Sequence, residues 1–384
     1  MEQTQIVPNW TNDESSRLWN PGLTQEARTT FDRLVDQYES QNTNQQIEAK
    51  AIIWLASSGT TGAMPKVIGL TKAALLASAQ SVNRYLGAEA EDRWALMLPE
   101  FHVGGLSISA RAFLSKSSVD KYSGRWQVDE VYQWLCQVQP QFLSLVPTQL
   151  HDLIQRQYPA WPKLKAVLIG GADLNLGLAK NAEKLGWPIH QTFGMTETSS
   201  MIAAGPPGKM KLLPHCEALI DDEGHLHLRG DSLFSVIIDG NQSDDPVIIL
   251  QASGAWWKTS DRANIKDEIF QWLGREDDFV KIKGEGIFLS KLSQRVSDFL
   301  IEQSLPYKLL AILVQEDPRS GGRLLAALEP SGANEDLELA SWTIALNQEL
   351  SKSEKIQAFH VRRDWPKTPL GKLKLVEALR LVTK

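Results

Sequence analysis

Apolar residues along the chain come in short runs separated by longer amphipathic stretches. AIIWLA (51–56), VIGL (67–70), ALMLP (95–99), FLSLVP (142–147) and AVLIGG (166–171) have the length and uniform apolarity of strands buried on both faces. Helical patterns fall between or before them: one over about 24–41, one through KAALLASAQSVNRYL with Thr71 as N-cap, and others over 128–138 and 148–157. Strands alternating with helices predict an α/β sheet with helices on its faces. After about residue 205 the rhythm changes. HLHLRG (225–230), LFSVIID (233–239) and PVIIL (246–250) are short strands joined by turn-rich connections such as DGNQSDDP, so a small β-rich subdomain is expected over about 206–276. From about 277 a mixed α+β pattern returns, with strands LLAILVQ (309–315) and RLLAALE and a helix near 335–352. The expected organisation is a large domain over 1–276 and a small C-terminal domain over 277–384.

Composition narrows the class. A chain of 384 residues with 42% hydrophobic and 22% charged content is an ordinary globular protein, long enough for two domains. Its net charge of −6 argues against a general nucleic-acid binder. The charge is uneven: residues 352–384 carry nine Lys or Arg against three acids. Such a basic end is a solvated helix face or serves an anionic ligand. Cys136 and Cys216 lie far apart without metal-ligand spacing and are expected to stay free thiols. No apolar run reaches membrane-spanning length, and the N-terminus lacks the pattern of a secretory signal. A cytoplasmic protein is expected.

SSGTTGAMPK (57–66) carries the first sign of chemistry. Ser57, Ser58, Gly59, Thr60, Thr61 and Gly62 are small or hydroxylated, so backbone N–H and side-chain O–H groups can approach phosphate oxygens, and Lys66 adds a positive charge. The alternative is a plain Gly/Ser/Thr turn between two strands. The loop is not the common Gly-x4-Gly-Lys-Ser/Thr form, because Lys66 lies between Pro65 and Val67. Five further stretches follow in order. IGGADL (169–174) ends a strand on two glycines, suited to backbone contact with a flat ring. TFGMTET (192–198) sets an aromatic, a glycine and Glu197 within one short turn, and a carboxylate suits a hard cation such as Mg²⁺. WWKTSD (256–261) offers Asp261 to ribose hydroxyls. GREDDFVKIKGEGI (274–287) is dense in charge and glycine, and WPKTPLGK (365–372) holds two lysines in a turn-rich stretch. Each alone is also readable as a surface turn.

In that order, over roughly residues 51–375, the stretches resemble the adenylate-forming enzymes: acyl-CoA synthetases, peptide-synthetase adenylation domains and luciferases. The resemblance implies a fold of layered α/β sheets with a β-rich subdomain and a small mobile C-terminal domain. It implies that the 57–66 loop grips the β- and γ-phosphates of ATP, although Ala63 and Met64 stand where the family has one residue and Val67 replaces a usual glycine. Gly170, Gly171, Ala172 and Phe193 resemble the adenine pocket wall, with Gly194, Met195 and Thr196 beside them. Glu197 resembles the Mg²⁺ ligand, and Asp261 and Arg275 the ribose clamp. Lys372 resembles the lysine bridging the α-phosphate and the carboxylate, and Asp277 the hinge of the C-terminal domain.

LPEFHVGGLSISAR (98–111), SLVPTQL (144–150), LKAVLIGGADL (164–174) and GEGI (284–287) are similar to the o-succinylbenzoate–CoA ligase branch, which acts in menaquinone and phylloquinone biosynthesis. That likeness implies an acyl-adenylate intermediate, then thioester formation with coenzyme A. It also implies a gate role for His102 and an acyl pocket that includes Gly194. Arg111 would suit the second carboxylate of that substrate, since a planar guanidinium donates two hydrogen bonds; the other reading puts it on the outer face of a helix. Alternatives are a ligase for another aryl or medium-chain acid, and a relative that binds ATP or an acyl-adenylate without turnover. Only 56 residues precede the loop, so a reduced N-terminal subdomain is expected, and a homodimer covering exposed apolar surface is a further expectation.

Overall fold

A computed structural model of the chain describes residues 8–42, 51–56, 66–172, 174–239, 247–303, 307–330, 339–366 and 373–383, and every count below concerns those residues. The chain divides into two compact units, Met1–Thr259 with Ile265–Gln271, and Ser260–Asn264 with Trp272–Lys384.

The first unit is built on two main sheets. Among the described residues one has seven strands, in the order Lys211–Leu212, Ser200–Gly205, Ile189–Met195, Ala166–Ile169, Phe142–Leu145, Arg93–Leu96, Ser118–Lys121. The last five of these run parallel, and the first two close one edge antiparallel. Phe142–Leu145 and Ala166–Ile169 are buried at every position, as continuous apolar runs demand when helices cover both faces. Val131, Leu135, Leu150, Leu153, Ala179 and Ala182 from the covering helices pack on one side, with Trp161 and Trp187. On the other side Val82, Trp94, Ile108, Phe142 and Leu168 form a second core.

The second sheet of the first unit orders Ser16–Leu18, Ile52–Ala56, Val67–Thr71, Val236–Asp239 and Val247–Leu250. Ile52–Ala56 and Val67–Thr71 pair antiparallel with Ala56 opposite Val67, so the phosphate-loop candidate joins the two strands of a hairpin. The helix Lys72–Leu86 starts where expected: Thr71 is extended and its side chain accepts a hydrogen bond from the Ala74 amide at 3.0 Å. The helix Gln25–Asn42 buries Phe31, Leu34, Val35 and Tyr38 against Trp54 and Val67. The β-rich stretch includes the hairpin Cys216–Ile220 with His225–Gly230, then Trp257–Lys266 and Ile269–Arg275.

The second unit holds a two-stranded ribbon, Phe279–Ile282 with Glu285–Phe288. Its three-stranded sheet is Tyr307–Gln315, Arg323–Pro330 and Ile356–Val361. Helices Leu289–Glu302 and Leu339–Glu349 pack Leu292, Val296, Leu300 and Leu346 onto this sheet's Ile312, Ala326 and Phe359.

Candidate active site

Four parallel strands lie side by side in the order Ile189–Met195, Ala166–Ile169, Phe142–Leu145, Arg93–Leu96. Their carboxyl ends run directly into the Thr196–Thr198 turn, Gly170–Gly171–Ala172, the start of Val146–Leu150, and Leu98–His102. Open parallel sheets bind ligands outside the carboxyl ends of their strands. Four stretches that are far apart in sequence therefore share one rim.

TFGMTET is not the single short turn expected. Thr192–Met195 complete a strand, and Thr196–Thr198 form one 3-10 turn. The strand persists because Thr192 and Phe193 pair with Ala204 and Ala203, and the register then slips between Phe193 and Gly194. Gly194 is required at the slip: a Cβ there would lie 2.0 Å from the Ser200 carbonyl oxygen. Past the slip the turn is pinned by a hydrogen bond of its own and by two to the 232–234 segment. The Met195 amide donates to Thr198 Oγ1 at 3.1 Å, and the Phe234 amide donates to the Glu197 carbonyl at 2.8 Å. Ser199 Oγ donates to the Ser232 carbonyl at 2.8 Å. Glu197 is half-buried on this turn. Next to it, Thr192 Oγ1 donates to the Ile169 carbonyl at 2.9 Å, tying the turn's strand to the Gly170–Gly171 strand end. The Phe193 ring lies 5.0 Å from Phe270.

His102 is the N-cap residue of the helix Val103–Ser115, with an extended backbone and its ring 4.6 Å from Phe101. Its amide donates to the Pro99 carbonyl at 3.1 Å. Beside it is a group the sequence did not signal. Glu100, third in the LPEFHVGGLSISAR stretch, is only 3% exposed. Its carboxylate accepts from Lys121 Nζ at 2.5 Å and from Ser109 Oγ at 3.2 Å, so it ties the His102 turn to a strand and a helix.

Arg111 lies inside the protein, not on the outer face of its helix, with 1% exposed. Its Nη2 donates to Ser200 Oγ at 3.2 Å, and its guanidinium sits 5.7 Å from the Trp94 ring centroid. Burial lowers its pKa to about 9. Burial also lowers the His215 imidazole to about 4, with the Arg111 charge acting in the same direction. Lys66 is about half exposed and pairs with Asp239 at 3.3 Å.

Asp261 and Arg275 belong to the second unit. Asp261 is buried and accepts from Trp272 Nε1 at 2.8 Å, and Arg275 donates to Ser260 Oγ at 2.9 Å. Asp277 falls in the Glu276–Asp278 turn. Ser57, Ser58, Gly59, Thr60, Thr61, Gly62 and Lys372 lie outside the described residues. Among the described residues no three His, Cys, Asp or Glu side chains gather to hold a metal ion. One protein carboxylate, such as that of Glu197, is enough for Mg²⁺, which takes one or two carboxylates together with substrate phosphates.

Residues 6–235 match the AMP-binding enzyme family. The chain belongs to that family. Among curated AMP-binding relatives, the 2-succinylbenzoate–CoA ligase of Bacillus pumilus is 28% identical over 62% of this chain and 51% of its own length. That of Salmonella typhimurium is 30% identical over 74% of this chain and 60% of its own length. This chain thus spans about half to three-fifths of these two relatives. The o-succinylbenzoate CoA synthetase of Bacillus subtilis, solved with its acyl-adenylate intermediate, superposes with a TM-score of 0.73 at 24% identity, over 85% of this chain and 68% of the other. The fold is that of the adenylate-forming enzymes.

Proposed function

We propose that this chain is an ATP-dependent carboxylate–CoA ligase acting on 2-succinylbenzoate through an acyl-adenylate. One observation carries the reading: four motif stretches of this family emerge from adjacent carboxyl ends of one parallel sheet, with Glu197 on a pinned turn beside the Gly170–Gly171 strand end. The substrate class rests on the LPEFHVGGLS stretch and on the names of the curated relatives.

In the first half-reaction a carboxylate oxygen attacks the α-phosphorus of ATP, and the bond to the bridging oxygen breaks to release pyrophosphate. In the second, the sulfur of coenzyme A attacks the acyl carbon and AMP leaves. The first step needs charge neutralisation and alignment more than proton transfer. Lys372 supplies the positive charge between α-phosphate and carboxylate, and Lys66 with the 57–62 loop holds the outer phosphates. Gly170, Gly171, Ala172 and Phe193 wall the adenine, with Gly194, Met195 and Thr196 alongside. Asp261 and Arg275 hold the ribose, and His102 gates the acyl pocket. When bound at Glu197, Mg²⁺ neutralises phosphate charge. Asp277 serves as the hinge on which the second unit exchanges Lys372 for the segment near 281–286 between half-reactions.

Carboxylate-dependent ATP–pyrophosphate exchange, followed by addition of coenzyme A, tests this. Exchange with 2-succinylbenzoate but not benzoate or medium-chain acids, then thioester formation, is the expected result. Exchange with another acid keeps the mechanism and discards the substrate. ATP binding without exchange for any acid overturns the enzymatic reading. Homodimerisation is part of the same proposal, and a gel-filtration mass near 42.8 kDa counts against it.

A further inference from the structure

Residues 99–102 form a turn closed by the hydrogen bond from the His102 amide to the Pro99 carbonyl. Glu100 and Phe101 are its two central residues, so their side chains set how the turn sits and where His102 leaves it. Phe101 is held by apolar packing against the cluster of Leu70, Leu106 and Phe234. Glu100 is held by charge and hydrogen bonds, and its two carboxylate oxygens go to different elements. Oε2 accepts from Lys121 Nζ at 2.5 Å, and Oε1 accepts from Ser109 Oγ at 3.2 Å. Lys121 ends the strand Ser118–Lys121 opposite Leu96, the last residue of the strand that feeds the turn. Ser109 lies about 9 Å along the helix Val103–Ser115 from its first residue.

Stability alone does not account for this arrangement. Burying the Glu100 carboxylate costs solvation free energy, and an apolar pair in the same space is commonly as stable or more so. What two directed, charge-assisted bonds supply and an apolar contact does not is a fixed place for the group that carries them. The counter-charge reaches in from the surface: the Lys121 side chain is 46% exposed, so removing its amine opens no cavity.

We propose that Glu100 is a positioning residue for the acyl site: bracketed between Lys121 and Ser109, it fixes the 99–102 turn and with it the His102 gate. The inference rests on the proposed role of His102. Losing the bracket then weakens capture of the carboxylic acid and leaves Mg·ATP binding alone, because Gly170, Gly171 and the Glu197 turn follow other strands of the sheet.

Pyrophosphate exchange tests the bracket, with urea midpoints alongside. It is measured against the acid that wild type uses, 2-succinylbenzoate on the proposed reading, at saturating Mg·ATP, and against Mg·ATP at saturating acid. The proteins are wild type, Lys121→Met, Lys121→Arg, Glu100→Gln and the double variant Glu100→Leu with Lys121→Met. Lys121→Met raises the half-saturating acid about tenfold, the loss of one charge-assisted hydrogen bond, while half-saturation by Mg·ATP stays within about twofold. Glu100→Gln, which keeps the volume and loses the charge, raises the acid value about threefold. Lys121→Arg, which keeps the pairing, stays within about twofold of wild type. The double variant separates position from stability: its urea midpoint returns to the wild-type value or above, yet its half-saturating acid stays about tenfold high. Should Lys121→Met fail to fold, Glu100→Gln and the double variant carry the test. Unchanged half-saturation by the acid in these variants overturns the bracket. Equal shifts for acid and Mg·ATP overturn it as well. So does a double variant whose acid value recovers together with its midpoint, since the pair then serves stability alone. Absence of exchange in the wild type with every acid overturns the functional reading instead, a separate result because it precedes any substitution.

Discussion

Two adjacent glycines in the helix Val103–Ser115 are predicted to respond to alanine with opposite signs. A Cβ on Gly104 would meet only Leu98 Cδ1 at 3.5 Å, an ordinary contact. Gly104→Ala should therefore raise stability by up to about 0.5–1 kcal/mol through helix propensity. A Cβ on Gly105 would lie 2.3 Å from the Pro99 carbonyl oxygen and 2.5 Å from that of Leu98. Both are backbone atoms, so the 98–102 loop must retreat from the helix by about 1 Å to restore contact distance, an overpacking cost of about 1–3 kcal/mol. The retreat moves His102, whose amide donates to that same Pro99 carbonyl. Misplacing a site group by 1 Å costs about 10²-fold in rate. Urea denaturation gives the stability change and pyrophosphate exchange gives the rate. A Gly105→Ala protein within twofold of wild-type exchange and of unchanged urea midpoint would refute the reasoning. So would a Gly104→Ala protein harmed as much as Gly105→Ala.

Lys372→Ala should abolish pyrophosphate exchange while leaving ATP binding nearly intact, and full exchange in that variant removes Lys372 from the mechanism. The His215 pKa is lowered to about 4, chiefly by burial. Between pH 6.5 and 4 the unfolded chain therefore binds a proton that the native chain does not, so stability falls as pH drops, by about 3 kcal/mol across the window. His215→Leu should flatten that part of a urea-midpoint profile, and an unchanged slope rejects the assignment. Burial pushes the Cys216 thiol up to about 12, whereas Cys136 is only partly buried. At pH 8 a thiol reagent should label Cys136 first and Cys216 only on unfolding, and equal labelling rates in the native protein contradict this.

Much of the fold was legible because it depends on local pattern. The uniform apolar runs at 142–145 and 166–169 are central parallel strands, and Thr71 caps its helix through its own hydroxyl. HLHLRG is a strand over the six residues expected. TFGMTET misled, since whether Thr192–Met195 extends as strand depends on pairing with Ala203 and Ala204, which no local pattern encodes. The helix Val103–Ser115 was read only as a motif, because two glycines at its start mask helical propensity until the close approach of the 98–99 carbonyls explains Gly105.

The sequence by itself determined the chemistry on offer: small and hydroxylated loop residues, glycine pairs at strand ends, a carboxylate after an aromatic–glycine step, and a family resemblance in their order. Residue type fixes which bonds a side chain can make, so that much needs no coordinates. Tertiary structure alone decided which residues support the site. Glu100 was given no role from the sequence and is a buried tie between Lys121 and Ser109. Arg111 carried two opposed readings, and burial against Trp94 and Ser200 settled that it lies inside. Burial and partner identity arise from contacts between residues distant in the chain, such as Arg111 and Ser200, and those distances are set only when the sheet and its helices close on one another.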